Sequence, residues 1–155
     1  MPANSFNRQT AREKLASILS GALSGQVQAV YAYKVKSLIK LGKGPFVTVD
    51  SGPIKRVKNK YADSYDNDIT LYVTTFVMWS DAESNWTEQN CEDRLDLLEK
   101  LIADALLDHK SQAQDATVPW DTIEFESPST PDTWLEGGKQ WWTETFTIRA
   151  RKING

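Results

Sequence analysis

Apolar residues recur every three to four positions between Thr87 and His109, which is the spacing of one face of an α-helix. The remaining positions are mostly charged, and the apolar stripe consists of Cys91, Leu95, Leu98, Ile102, Ala105 and Leu106. Such a helix would be roughly 34 Å long at about 1.5 Å per residue. Asn85 or Thr87 is predicted to cap it, with Glu88 at capping-box distance from Asn85. A one-faced helix of this length requires a broad apolar surface, which we expect neighbouring strands to supply.

The same periodicities predict a second helix and five strands. A helix is expected from about Thr10, which has Glu13 at capping-box spacing, to a C-terminal cap at Gly25. Alternating or continuous apolar runs predict strands at about 27–34, 46–50, 69–79, 120–126 and 141–153. The run at 69–79 is β-branched and aromatic at both parities, which is typical of a strand in the middle of a sheet. The last run has one buried parity, formed by Trp142, Phe146, Ile148 and Ala150.

Three stretches between these elements are predicted to be long loops, at about 34–44, 52–68 and 127–139. For residues 54–68 an exposed hairpin is the alternative. Strands in runs, with helices segregated from them, are typical of an α+β domain. We therefore predict one domain over residues 1–155, with a mixed, mostly antiparallel β-sheet and two amphipathic helices packed on one face.

Composition is that of an ordinary globular chain, with 40% hydrophobic and 25% charged residues. No apolar run reaches the roughly 18 residues of a membrane span, and residues 1–10 have no apolar signal segment. We expect a protein that is assembled in the cytoplasm and makes no membrane contact.

Charge is distributed unevenly along the chain. Residues 34–60 hold eight cations and one carboxylate, whereas the remaining residues hold ten cations and twenty carboxylates. This asymmetry suits self-association or contact with a polyanion. The alternative is that residues 34–60 form a solvated loop region.

Candidate catalytic residues are few. His109 is the only histidine, and it is predicted to lie in the last turn of the long helix, where a cation stabilises the helix dipole. Cys91 lies roughly 27 Å away along that helix and is expected to be a buried apolar residue. We find no catalytic constellation, metal-ligand set or cofactor motif, and we predict that the protein is not an enzyme and uses no cofactor.

The chain has six tryptophans, and several occupy poor positions for a single small core. Trp86 precedes the long helix, Trp134 lies in a Pro/Gly-rich stretch, and Trp141 has the polar parity of the last strand. Aromatic side chains on loops are common anchors at protein interfaces. We therefore take these three as candidate subunit-interface residues. The alternative for Trp134 and Trp141 is that they cover sheet edges within one subunit.

The order of these segments resembles a known protein family. It runs RQTAREKLASILSGAL, VQAVYAYK, FVTVDSG, ITLYVTTFVMW, NCEDRLDLLEKLIADALLD and WDTIEFESPSTPDTWLEGGKQWWTETFTIRARK. In this succession the chain resembles the tail terminator (tail completion) proteins of long-tailed bacteriophages and related neck proteins. The lysine-rich connection at 34–44 departs from the pattern.

The resemblance implies a structural virion protein of the phage tail or neck. It would form a homo-hexameric ring that caps the tail tube, ends its polymerisation and supplies the head-docking surface. Its partners would be the tail tube protein, the head–tail connector or neck proteins, and genomic DNA that passes through the lumen without sequence-specific recognition. The candidate residues facing the lumen, tube or DNA are Lys55, Arg56, Lys58 and Lys60.

Two alternatives remain at this point. One is a head-completion or connector protein of the neck, which would also form a ring. The other belongs to a different class, a small host-type enzyme or a small nucleic-acid-binding protein that uses the basic segment 34–60.

Overall fold

A computed structural model of the chain describes residues 6–42, 44–60, 63–79 and 87–153. Within these ranges it has two α-helices, one short 3-10 helix and six strands. Helix α1 spans Arg8–Ala22, helix α2 spans Glu88–Asp108, and the 3-10 helix spans Ile39–Leu41. The strands are β1 (Ala29–Tyr31), β2 (Phe46–Lys58), β3 (Tyr65–Met78), β4 (Thr122–Phe125), β5 (Thr130–Glu136) and β6 (Lys139–Lys152).

The six strands form one mixed sheet in the order β1-β2-β3-β6-β4. β1 is parallel to β2, and every other pairing is antiparallel. β5 also pairs with β6, along the half of that strand that β4 leaves uncovered. The predicted α+β class with a mostly antiparallel sheet is confirmed, and the strand predicted for the middle of the sheet is the central β3.

One face of the sheet carries both helices. The odd-numbered residues of β3 from Ile69 to Val77 point to this side and are buried together with the apolar stripes of α1 and α2. Leu98 and Ile102 of α2 are fully buried, as is Cys91, whose Sγ lies 3.6 Å from the Met78 carbonyl oxygen. The predicted stripe of α2 therefore forms core. Neither helix in the described part of the chain has the length and apolar character needed to cross a membrane.

The opposite face of the sheet has a smaller apolar cluster near one end. It consists of Leu38, Phe46, Phe76, Met78 and Trp141. Residues 34–42, which were predicted as a loop, include the 3-10 helix and supply Leu38 and the partly buried Val35 and Leu41. Both faces of β3 are thus covered at its Met78 end, because this connection folds back over the sheet.

The cap of helix α2 is one of the two residues that the sequence predicted, but its capping-box partner is a different residue. Thr87 caps α2: its side chain accepts from the Asn90 amide at 3.1 Å, and the Asn90 side chain accepts from the Thr87 amide at 3.0 Å. The predicted capping partner Glu88 is therefore wrong, because Asn90 and not Glu88 lies three residues after the actual cap. Asn85 is outside the described residues.

Helix α1 begins earlier than predicted. Asn7 is its N-cap, and the Asn7 side chain accepts from the Thr10 amide at 2.9 Å. The predicted cap at Thr10 is wrong, because Asn7 supplies an acceptor one turn earlier and Thr10 then lies inside the first turn.

Two of the three predicted loops are hairpins. Residues 52–68 belong largely to β2 and β3, which pair from Ile54–Ile69 to Lys58–Tyr65. Gly52 and Pro53 form a bulge in a continuous strand and do not end it. β1 pairs only with residues 46–48 of β2, so no described strand pairs with β2 on that side at Pro53, and the missing proline amide is tolerated there. Residues 127–139 contain β5, whose two-residue turn to β6 uses Gly137 and Gly138 at positive φ, a typical hairpin signal.

Candidate interaction surfaces

The four predicted basic residues lie together at one end of the sheet, on the hairpin between β2 and β3. Lys55, Arg56, Lys58 and Lys60 are all exposed. Lys58 pairs with Asp63 at 3.1 Å, and both side chains are mostly in solvent. Arg56 is bound into the fold, since its guanidinium donates to the Asn67 side chain at 2.8 Å and to a backbone carbonyl at 3.4 Å. The hairpin thus carries three exposed lysines and one arginine that is bound into the fold.

Beside this hairpin, Asp68 of β3 binds two arginines of β6. Arg149 donates Nε and Nη2 to the two carboxylate oxygens at 3.0 and 2.7 Å, and Arg151 Nε lies 2.9 Å from Asp68 Oδ1. The hydrogen bonds from Arg149, aided by the charges of Arg149 and Arg151, lower the pKa of Asp68 against the opposing effect of burial. In this network one carboxylate faces two guanidinium groups, and the charges of Glu124 and Glu126 also act on Arg149.

Replacing Asp68 with asparagine is expected to lower stability by about 1 kcal/mol at pH 7, since hydrogen bonds to charged groups are worth somewhat more than that when buried. The pKa of Asp68 is lowered in the fold, so its stabilisation is full above the ordinary value of 3.8 and is lost as the pH falls through the lowered folded value. The difference in free energy of unfolding between variant and wild type should therefore become smaller as the pH falls below 3.8 towards the lowered pKa of the folded state. Urea unfolding between pH 7 and pH 2 measures it.

Asp104→Asn is the matched control for this measurement. Asp104 pairs with Lys100 across one turn of α2, and both side chains are largely exposed, so its loss should change stability little at any pH. If the difference in free energy of unfolding between Asp68→Asn and wild type did not depend on pH, that result would contradict the proposed ionic contribution.

The basic segment 34–60 does not form one surface. β2 carries the chain about 40 Å from Phe46 to Lys58, at roughly 3.3 Å per residue. Lys40 lies before this strand, beside the hydrogen bond from Gln28 to the Leu41 carbonyl, and Lys58 lies at its far end. The predicted single basic region is therefore wrong, because an extended strand separates charges that are close in sequence.

A polar groove of about 510 Å³ crosses the sheet face opposite the helices. Its floor is rich in threonine, with Thr48, Thr74, Thr143, Thr145 and Thr147 among the lining residues. Trp134 of β5 forms one wall and packs edge-on against Phe76 at 6.2 Å between ring centroids. Among the described residues that line it there is neither histidine nor cysteine, and most of the lining consists of hydroxyl and aromatic side chains.

Asp50 and Lys34 lie at the side of this groove. Burial raises the pKa of the Asp50 carboxyl, and the positive charges of Lys34 and Arg12 partly oppose that shift. Arg12 itself donates to the Ser51 hydroxyl at 2.9 Å, which fixes α1 against β2. With Asp132, which also lines it, the groove therefore has two carboxylates and one lysine.

A second groove, of about 460 Å³, lies between α2 and β5 on the helix side of the sheet. Four of its lining residues are acidic, namely Glu92, Asp96, Asp132 and Glu144, and the described lining includes no cation. Leu95, Pro131 and Trp142 add apolar surface. We call this the acidic groove. The sequence analysis missed it because Asp96 and Asp132, the nearest members of its two acidic pairs, are more than thirty positions apart in the chain.

The candidate interface tryptophans have three different outcomes. Trp134 is 39% exposed and remains available for contacts. Trp141 is 1% exposed, in the small cluster opposite the helices, so its prediction as an interface residue is wrong. The parity of Trp141 in the last strand predicted an exposed side chain, but the connection at 34–42 covers that face of the sheet. Trp86 lies outside the described residues.

His109 has a structural position at the end of α2. It is the C-cap residue, and its Nδ1 lies 2.7 Å from Asp115 Oδ2. Hydrogen bonds from the hydroxyl and amide of Thr117, and then from His109, lower the pKa of Asp115. Cys91 lies in the first turn of the same helix, so the two residues are at its opposite ends.

The described residues also expose large apolar side chains that the sequence reasoning did not select. Leu135 of β5 is 76% exposed and Leu107 of α2 is 63% exposed. Leu107 and the partly exposed Phe125 line an apolar groove of about 650 Å³ between α2 and β4. Their positions could have indicated this exposure, since Leu107 lies off the predicted apolar stripe of the long helix and Leu135 lies beside a Gly-Gly turn.

The described surface therefore has a basic hairpin end, an acidic groove, a threonine-lined groove and exposed apolar residues. Within the ranges that the structure describes, no group of three or more His, Cys, Asp or Glu side chains is arranged to hold a metal ion. No protein-family model and no curated protein sequence matches this chain.

Proposed function

We propose that this chain is a structural virion protein of the tail terminator kind. It assembles into a ring, most simply a hexamer, that caps the phage tail tube, ends its polymerisation and presents the surface to which the head docks. The observation that carries the proposal is the presence of two unlike charged surfaces at opposite ends of one sheet. A ring requires such surfaces, because each subunit meets its two neighbours through different patches.

The order of elements gives a second, weaker support. The resemblance rests on a first helix, strands, a central strand, a long helix and a final pair of strands. The described fold has this order as far as α2, with β3 as the central strand and α2 as the long helix. Three strands follow α2 where the sequence predicted two, because β5 forms a hairpin with β6. This order supports only the fold expected for the family, because α+β folds serve many functions. The proposed ring is supported by the charged surfaces.

Exposed apolar side chains support assembly as well. Almost the whole of β5 is exposed, and no strand among the described residues pairs with its outer edge. This edge strand includes Trp134 and Leu135, and unpaired edges with apolar residues tend to be covered by a partner. Contacts along β5 would therefore bury surface that is unfavourable in an isolated subunit.

Native mass spectrometry over a concentration series, with negative-stain images of the large species, tests this proposal. We expect a species of about six times the 17.5 kDa subunit mass, with a central hole. A twelve-fold ring would instead favour the connector alternative. A chain that stays monomeric at every concentration, and also fails to bind purified tail tubes, would contradict a role at the end of the tube.

A further inference from the structure

The acidic groove has the chemistry of a docking site for a basic protein segment. Glu92 and Asp96 come from α2, one turn apart, and Asp132 and Glu144 come from the β5–β6 hairpin. Leu95, Pro131 and the half-buried Trp142 provide apolar contacts between these two acidic walls. An apolar floor between carboxylates suits lysine side chains, which bury their methylene stems and keep the ammonium group near an anion.

The β2–β3 hairpin end carries the complementary chemistry. Lys55 and Lys60 are exposed and make no ion pair with another described residue. Lys58 has only the solvent-exposed Asp63 as partner, a contact of little energetic value. Val57 lies among these lysines and is 51% exposed. The hairpin end therefore offers three cations, the exposed carboxylate of Asp63 and one apolar side chain to a partner.

These two surfaces cannot meet within one subunit. The hairpin ends at the pair Lys58–Tyr65, whereas Glu144 of the groove pairs with Thr75 of β3. Ten residues of β3 separate these positions, which is about 33 Å along the strand. Two unlike, complementary patches at opposite ends of a rigid sheet favour a head-to-tail contact between copies, and such contacts close into a ring when the rotation between copies allows.

We propose that the basic hairpin end of one copy docks into the acidic groove of the next copy. This inference rests on the proposed self-assembly and names its contact. Lys55, Lys58 and Lys60 approach the carboxylates of α2 and β5, and Val57 contacts the apolar floor of the groove. The lysines thus belong to the subunit contact and not to the lumen, which is the place that the family resemblance implies for them.

Charge reversal on each side separates this contact from other effects. The hairpin variant carries Lys55→Glu, Lys58→Glu and Lys60→Glu, and it retains Arg56 because that side chain is bound into the fold. The groove variant carries Glu92→Lys, Asp96→Lys and Asp132→Lys, all at exposed positions. A third protein combines all six substitutions and keeps the wild-type net charge of −3.

Light scattering and native mass spectrometry measure the association of each protein. The hairpin variant and the groove variant should each associate about a hundred-fold more weakly than wild type, because like charges then face each other in every contact. Mixing the two in equal amounts should restore assembly, since every contact in an alternating ring is again complementary. The protein with all six substitutions should assemble by itself. Association of the wild type, of the equal mixture and of this six-substitution protein should weaken with rising ionic strength.

A control variant tests for a general effect of charge. This control carries Lys36→Glu, Lys40→Glu and Lys110→Glu, which change the net charge as the hairpin variant does. All three positions are exposed and lie outside the hairpin and the acidic groove. This protein should associate as wild type does. Circular dichroism and thermal unfolding establish that each variant is folded before its association is compared.

Two results would overturn the contact while leaving the ring intact. One is a folded hairpin or groove variant that assembles as well as wild type. The other is that neither the equal mixture nor the six-substitution protein recovers assembly, although all the proteins are folded. A wild-type chain that does not self-associate under any condition would overturn both the contact and the proposed ring, so the two failures are distinguishable.

Discussion

Replacement of Trp120 by alanine is expected to lower the free energy of unfolding by about 3–5 kcal/mol, as for other large aromatic residues removed from a core. Trp120 is fully buried in the main core, and its Nε1 donates to the carbonyl oxygen of His109 at 2.9 Å. The variant would lose the packing of the indole and also leave a carbonyl at the end of α2 without this donor. Urea or guanidinium unfolding, monitored by far-UV circular dichroism, measures the loss.

Two further variants separate the causes of this effect. Trp120→Phe keeps much of the aromatic packing and removes the hydrogen bond, so it should cost clearly less than Trp120→Ala. Trp134→Ala is the control at an exposed position, where the ring touches Phe76 but lies partly in solvent. Similar losses for the alanine variants at 120 and 134 would show that Trp120 does not join the end of α2 to the core.

Replacement of Gly52 by alanine is expected to destabilise the protein by about 1–3 kcal/mol, the usual cost of inserting a methyl group into filled space. A Cβ atom at this position would lie 2.8 Å from Cε2 of Tyr72 and 3.0 Å from the Thr70 carbonyl oxygen. The tyrosine ring can shift, but the carbonyl belongs to the neighbouring strand β3 and is held by the sheet. The same unfolding measurement, compared with wild type, gives the cost.

Gly21→Ala is the matched control for the glycine substitution. Gly21 lies near the end of α1, and a Cβ atom there would have no neighbour within 4 Å. Alanine should therefore stabilise the helix by roughly 0.5–1 kcal/mol, since glycine has the larger backbone entropy in the unfolded chain. A neutral Gly52→Ala variant would mean that the bulge in β2 relaxes easily, contrary to its close packing on β3.

The bulge at Gly52 and Pro53 explains why sequence alone could not place the basic residues on a face. Before the bulge the odd-numbered residues Val47 and Val49 point to the helices, and after it the even-numbered Ile54 does so. One extra residue exchanges the two faces of a strand, because side chains alternate with a period of two. Lys55 is thereby placed on the side opposite the helices, although simple alternation from Val47 would predict the reverse.

Burial of Trp141 has a similar origin. Its parity in β6 is that of threonines and arginines, which predicts solvent exposure along an isolated hairpin. The structure buries it because the connection at 34–42, more than ninety residues away in sequence, packs on that end of the sheet. Its Nε1 is buried with no hydrogen-bond partner among the described residues, so the indole contributes here through packing.

The sequence by itself determined the features that depend on neighbours a few residues apart. These are the extent of α2, the strand β3 from Ile69 onward, the burial of Cys91, the position of His109 at a helix end and the α+β class, since helical and strand periodicities are local. Tertiary structure alone decided the register, the covered faces and the grouping of charges. The acidic groove is the clearest case, because Glu92 and Asp132 come together only when α2 packs beside β5. Such groupings arise from pairings between distant elements, and no local pattern encodes which elements will meet.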